Sequence, residues 1–204
     1  MTIFYLIRHG ENDLLGKRLP GWMPGVHLNE RGLAQAQALA RALDEVQITA
    51  VYASPLERTM ETAEPLARLK ELEIVARPGL GEIHPGRWQG HSLKSLRRRK
   101  LWPVIQFTPS LARFPEGESF AEVQARVAAE LDDLRRRHPK ETVACVSHAD
   151  VIKLAVAHFL GLPLDLFQRL SVSPASISVL MISDNHTRLL RLNDTRSAEQ
   201  AAAG

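Results

Sequence analysis

Apolar residues in this chain alternate between short unbroken runs and longer stretches with helical spacing, and that alternation already predicts a fold class. Ile3 to Ile7 is a near-continuous apolar run with aromatic and β-branched members. It suits a strand buried on both faces, as in a parallel sheet. Ile48 to Ala53 and Thr142 to Ser147 repeat the pattern, with Cys145 as a small core residue of the latter. Between them, Asn29 caps a predicted helix whose apolar positions are Leu33, Ala36, Leu39, Ala40 and Leu43. Ser54-Pro55 reads as cap and first position of the next helix, which continues through Ala63, Leu66 and Ala67. Ser119-Phe120-Ala121-Glu122 is a capping box opening a long amphipathic helix, with Val123, Val127, Leu131 and Leu134 on one face and cations before Pro139. A further helix is predicted from about Asp150 to Leu160, stopping at Gly161. Ile177 to Ile182 and Arg188 to Leu192 predict paired strands around the turn Ser183 to His186.

Strands alternating with helices predict an α/β fold, a three-layer α/β/α domain with a mainly parallel central sheet. The expected organisation is one domain over residues 1–194, with a loop-rich insertion over 84–117 holding one short helix near Leu93 to Leu101. Leu14 to Val26, with three glycines and two prolines, is a second loop; Ser197 to Gly204 is low in complexity, and 195–204 is expected to be a flexible tail. Ligands of such sheets sit outside the carboxyl ends of the strands. Three junctions are therefore of interest: Arg8-His9-Gly10-Glu11, Ser54 to Arg58, and Ser147-His148.

Composition narrows the classes. In a chain of 204 residues, 45% hydrophobic and 24% charged positions exclude wholesale disorder. A single cysteine excludes a disulfide framework, and no Cys and His cluster has structural-zinc spacing. No apolar stretch approaches the roughly 18 to 20 residues of a membrane span. The start lacks a basic segment before its apolar run, so it does not read as a signal peptide, and the expected location is cytoplasmic. The net charge of +3 favours anionic ligands only weakly. Arg97 to Lys100 and Arg135 to His138 read as solvated helix faces or ends; the first run has no interleaved aromatics to form a single-strand nucleic-acid platform.

The chemistry lies in a combination. Arg8 and Arg58 offer bidentate donors to phosphate oxygens. His9 and His148 stand at strand ends beside them, and a neutral imidazole is a competent nucleophile toward phosphorus. Neighbouring guanidinium groups should hold it neutral by lowering its pKa.

Leu6-Ile7-Arg8-His9-Gly10-Glu11 resembles the signature of the histidine phosphatase superfamily, whose members include the cofactor-dependent phosphoglycerate mutases. The likeness continues in order through Leu28 to Ala36, Ser54 to Ala63, Leu80-Gly81-Glu82, Gly86 to Gly90, Pro115 to Ser119 and Val146-Ser147-His148. It implies a phosphoglycerate mutase-like fold and a set of roles. His9 is the expected nucleophile, forming a phosphohistidine. Arg8, Arg58 and His148 bind the phosphoryl oxygens, with Asn12 and the Ala149 N–H as further substrate contacts. Glu82 is the expected proton donor to the leaving oxygen and then the base for water. Two departures stand out. Leu15 occupies the position where the family often has a phosphate-binding Asn, with Asn12, Lys17 or Arg18 as substitutes, and Ala149-Asp150 replaces a frequent Gly-Gly. Ala149 is expected at an ordinary negative φ and Asp150 as a helix cap. His27, His84 and His91 are expected in loops near the site, and Trp22, Trp88 and Trp102 as packing for those loops.

The expected function is a metal-independent phosphomonoesterase acting on a small phosphorylated metabolite, with no cofactor. The mutases carry a longer insertion between the acid and the next helix, which leaves a 2,3-bisphosphoglycerate-dependent phosphoglycerate mutase as the alternative. A non-catalytic phosphate- or nucleic-acid-binding protein is the second. The expected partner is the small phosphorylated substrate, with neither nucleic acid nor membrane; a homodimer stands as the open alternative to a monomer.

Overall fold

The structure, a computed structural model, describes residues 1–197; positions 198–204 of the expected tail lie outside the described residues. In chain order the elements are β1 (Thr2–Arg8), α1 (Glu30–Ala42), β2 (Ala50–Ala53), α2 (Glu57–Leu69), β3 (Ile74–Ala76), α3 (Leu93–Leu96), α4 (Leu101–Phe107), α5 (Phe120–Arg137), β4 (Thr142–Ser147), α6 (Ala149–Phe159), β5 (Ile177–Ile182) and β6 (Thr187–Asp194). The six strands form one sheet in the order β3-β2-β4-β1-β5-β6. The first four are mutually parallel; β5 runs antiparallel to β1, and β6 to β5.

Period-two alternation divides the core into two layers. Phe4 and Leu6 of β1, with Val143 and Cys145 of β4, face the layer built by α5 and α6. Ile7, with Ala144 and Val146, faces the layer of α1 and α2. This is the doubly covered parallel sheet that continuous apolar runs demand. Among the described residues no helix is long and apolar enough to cross a membrane.

The predicted caps held at Asn29, whose Oδ1 accepts from Gly32 N at 2.9 Å, and at Ser119, whose capping box with Glu122 is complete. Gly161, at φ +67°, ends the segment after α6. Three boundaries differ. The second helix begins at Glu57 with Leu56 as its cap, because the Ser54 hydroxyl is bound elsewhere, to His148 Nε2 at 2.9 Å. His148, extended at φ −118°, caps α6; Asp150 lies inside the first turn, where its carboxylate accepts from Lys153 and favours the helix dipole. The single helix expected over Leu93 to Leu101 is two, and Pro103 sits in the first turn of the second, where its missing N–H removes no helical bond. The three-residue edge strand β3 is too short to leave a periodic signature.

Candidate active site

The sheet register gathers the three sequence junctions. Arg8 stands opposite Ser147, and the His9 N–H donates to Ser147 O at 3.0 Å. Ser54 N–H in turn donates to Val146 O at 2.9 Å. The connections leaving β1 and β4 pass to opposite faces, α1 toward one layer and α6 toward the other. Neighbouring parallel strands that part in this way open a crevice at their carboxyl ends. The turn at its floor depends on Gly10, where a Cβ would meet Gly32 O at 2.8 Å. Its N–H is held by Thr62 Oγ1 of α2 at 3.0 Å.

His9 is buried, and its Nδ1 lies 2.7 Å from Gly10 O. A carbonyl only accepts, so Nδ1 carries the proton and Nε2 presents a lone pair. Burial, then the charges of Arg8 and Arg58, hold the imidazole pKa well below 6.5, so the ring is neutral at pH 7. His148, fully buried, stands edge-on to it with ring centroids 5.3 Å apart. Its Nδ1 receives Arg58 Nη2 at 3.4 Å while its Nε2 meets Ser54 Oγ at 2.9 Å. A guanidinium only donates, which assigns the His148 proton to Nε2. Burial first, then Arg58, lowers its pKa as well.

Arg58 is 0% exposed. Nη2 donates to Gly21 O at 2.9 Å, yet Nε and Nη1 find no acceptor. Arg8 gives one bond to Val172 O at 2.8 Å, and its Nε is likewise buried and unpaired. Burial lowers the pKa of both arginines below the usual guanidinium range, with Glu82 opposing the shift. Glu82 places Oε2 3.6 Å from His148 Nδ1. Desolvation raises its pKa above 4.5 despite the pull of Arg58, which favours the protonated acid. The result is a buried, cationic, donor-rich cluster with one carboxyl beside it.

The remaining expected residues are distributed unevenly. Asn12 is buried, with Oδ1 accepting from Leu14 N and its Nδ2 amide left as the donor group. Ala149 opens α6 outside the positive-φ region, so its N–H points from a helix N-terminus, a ready anion donor. Of the two basic substitutes for Asn at Leu15, Arg18 is spent on Gly90 O and Lys17 is exposed. His27 pairs with Glu61, His91 is exposed, and His84 stacks on Trp22 at 4.3 Å. Among the described residues no group of three or more His, Cys, Asp and Glu is arranged to hold a metal ion. Ser54 and Thr62 were missed as site residues, since a Ser before Pro reads as a cap and a Thr inside a helix reads as neutral. The Trp22 Nε1–H donates to Glu82 O, and Arg126 reaches the same atom from α5. Sequence spacing carries no signal for either contact.

The chain is similar to known proteins over nearly its whole length. The profile of the histidine phosphatase superfamily (branch 1) matches residues 4–195. Phosphoserine phosphatase 1 of Hydrogenobacter thermophilus is 31% identical over 197 residues, covering 96% of this chain and 93% of that one. A probable phosphoglycerate mutase GpmB of Photorhabdus laumondii is 33% identical over 181 residues, 87% of this chain and 84% of its own. The solved structure of Bacillus stearothermophilus YhfR superposes with a TM-score of 0.91 at 29% identity, covering 97% of this chain and 100% of that one.

Proposed function

The chain belongs to branch 1 of the histidine phosphatase superfamily and is a phosphatase; from that premise we propose that it hydrolyses a small phosphorylated metabolite without a metal, through a phosphohistidine on His9. One observation carries the reading: a fully buried Arg58 with two unpaired nitrogens, Nε and Nη1, beside a neutral His9 whose Nε2 is free to attack. Burying unpaired guanidinium donors costs stability, and a phosphoryl group is the anion whose oxygens would satisfy them.

In the first step His9 Nε2 attacks phosphorus and the P–O ester bond breaks. Its electron pair leaves on the alcohol oxygen, which takes the Glu82 proton. In the second, water attacks phosphorus and gives a proton to the Glu82 carboxylate. The P–N bond breaks, and its electrons return to Nε2. Arg8, Arg58 and the Ala149 N–H hold the phosphoryl oxygens, with Asn12 Nδ2 as a further donor, so the developing charge is met by fixed dipoles. His148 contributes once the dianion arrives, because a nearby negative charge favours its cationic form and so protonates Nδ1.

A hydrolysis screen tests the function. It covers phosphoserine, sugar phosphates, nucleotides, α-ribazole phosphate and 3-phosphoglycerate, with and without 2,3-bisphosphoglycerate. Release of phosphate from a subset of these supports the proposal. Interconversion of phosphoglycerates that requires 2,3-bisphosphoglycerate, with negligible phosphate release, would establish the mutase instead.

A further inference from the structure

Glu82 lies on a loop, between short 3-10 turns at Pro78–Leu80 and Gly86–Trp88, with no strand to hold its backbone. On one side this loop borders an open groove of about 480 Å³ rather than packed core. Even so, each carbonyl from Pro78 to Glu82 has a side-chain donor. Arg126 Nη1 reaches the oxygens of Pro78, Gly79 and Gly81 at 3.4, 3.1 and 3.0 Å. Its Nη2 reaches Glu82 O at 3.3 Å, and Ser147 Oγ takes Leu80 O at 2.6 Å. Trp22 supplies a second donor to the same oxygen, with Nε1 2.6 Å from Glu82 O. Arg126 is itself fixed by a two-point pair with Glu118, whose carboxylate also accepts from His84 N.

Five consecutive carbonyls bound this way are more than a surface loop needs, since water satisfies exposed carbonyls without side-chain help. The arrangement also links the site to itself. Trp22 follows Gly21, whose carbonyl is held by Arg58, so the phosphate-binding arginine and the acid loop share one connection. Trp22 lies so close that a Cβ on Gly81 would meet its Cζ2 at 2.3 Å.

We infer that Trp22 and Arg126, two donors from separate segments, clamp the Glu82 carbonyl and are positioning residues for proton delivery to the leaving group. This rests on Glu82 being the acid. Loosening the clamp displaces the carboxyl while His9, Arg8 and Arg58 stay in place. Misplacement by about 1 Å costs on the order of a hundredfold in a positioned step.

The test uses Trp22→Phe, which keeps the ring and removes the N–H, and Arg126→Lys, which keeps the charge and loses the fork. Each is compared with wild type and Glu82→Gln on an alkyl phosphate and on p-nitrophenyl phosphate, whose leaving group needs little protonation. The clamp predicts a kcat loss on the alkyl substrate of roughly ten- to a hundredfold. That loss should exceed, by about tenfold or more, the loss in the first step with p-nitrophenyl phosphate. Equal losses on both substrates, or a change in KM alone, overturn the clamp if Glu82→Gln itself discriminates between them. If Glu82→Gln does not discriminate, the acid assignment fails and the clamp with it. Should Arg126→Lys not fold, Trp22→Phe decides the matter alone.

Discussion

Replacing Arg58 by Met should raise stability while removing activity. The guanidinium is 0% exposed and carries two unpaired donors, Nε and Nη1. An unsatisfied buried donor costs about 1–3 kcal/mol. Methionine fills much of the same volume without that cost. Against this stand the lost bonds to Gly21 O and His148 Nδ1, about 1 kcal/mol each. At mid-range values the balance favours the variant by about 2 kcal/mol, which for a chain of this length raises Tm by about 4–8 °C. In catalysis the signs reverse. Two charge-assisted bonds to phosphoryl oxygen are worth about 1.5–3 kcal/mol each, so kcat/KM should fall by about 10² to 10⁴. Thermal melts with vanadate separate the two effects. At a hundred times its Kd a ligand adds about 2.7 kcal/mol, so wild type should gain roughly 5–10 °C and the variant far less. A variant that melts several degrees lower yet keeps kcat/KM within tenfold would refute the reasoning, making Arg58 a structural residue.

The pH profile and the response to chelation give two further tests. Productive enzyme needs neutral His9, held below pH 6.5, and protonated Glu82, raised above 4.5, so activity falls below the first pKa and above the second. The ratio of wild-type to Glu82→Gln first-step rates on an alkyl phosphate cancels the substrate's own ionisation and leaves out the later step in which Glu82 is the base. It should decline toward 1 as pH rises through the Glu82 pKa, and a flat ratio would contradict the acid role. Because Arg8 and Arg58 already supply the cations, full activity should survive exhaustive dialysis against chelator; activity lost and then restored by magnesium or zinc would overturn the metal-free reading.

Much of this fold is legible in the residues because burial on both faces of β1 and β4 leaves unbroken apolar runs that admit few alternatives. The three junctions that those runs end on do meet, since the Arg8–Ser147 register fixes one shared edge. What the sequence hides is the work of polar side chains across the chain. Ser54 looks like a cap and instead holds His148, 94 positions away. Trp22 reads as packing, and its indole N–H is a donor to a carbonyl 60 positions on. Neither residue type nor spacing encodes such a partner; only the closed fold selects it. Local rules likewise failed at α6, where His148, extended at φ −118°, is the cap and Asp150 lies inside the first turn.

The central claim is a covalent phosphohistidine on His9, and it can be seen directly. Glu82→Gln removes the base that activates water, so the intermediate should persist after rapid mixing with p-nitrophenyl phosphate. An alkaline quench, which preserves phosphohistidine, followed by peptide mass spectrometry, should locate one phosphoryl group per chain on the peptide holding His9. It should vanish in His9→Ala. Turnover without any phosphorylated peptide, or a phosphoryl group carried on another residue, would contradict the account.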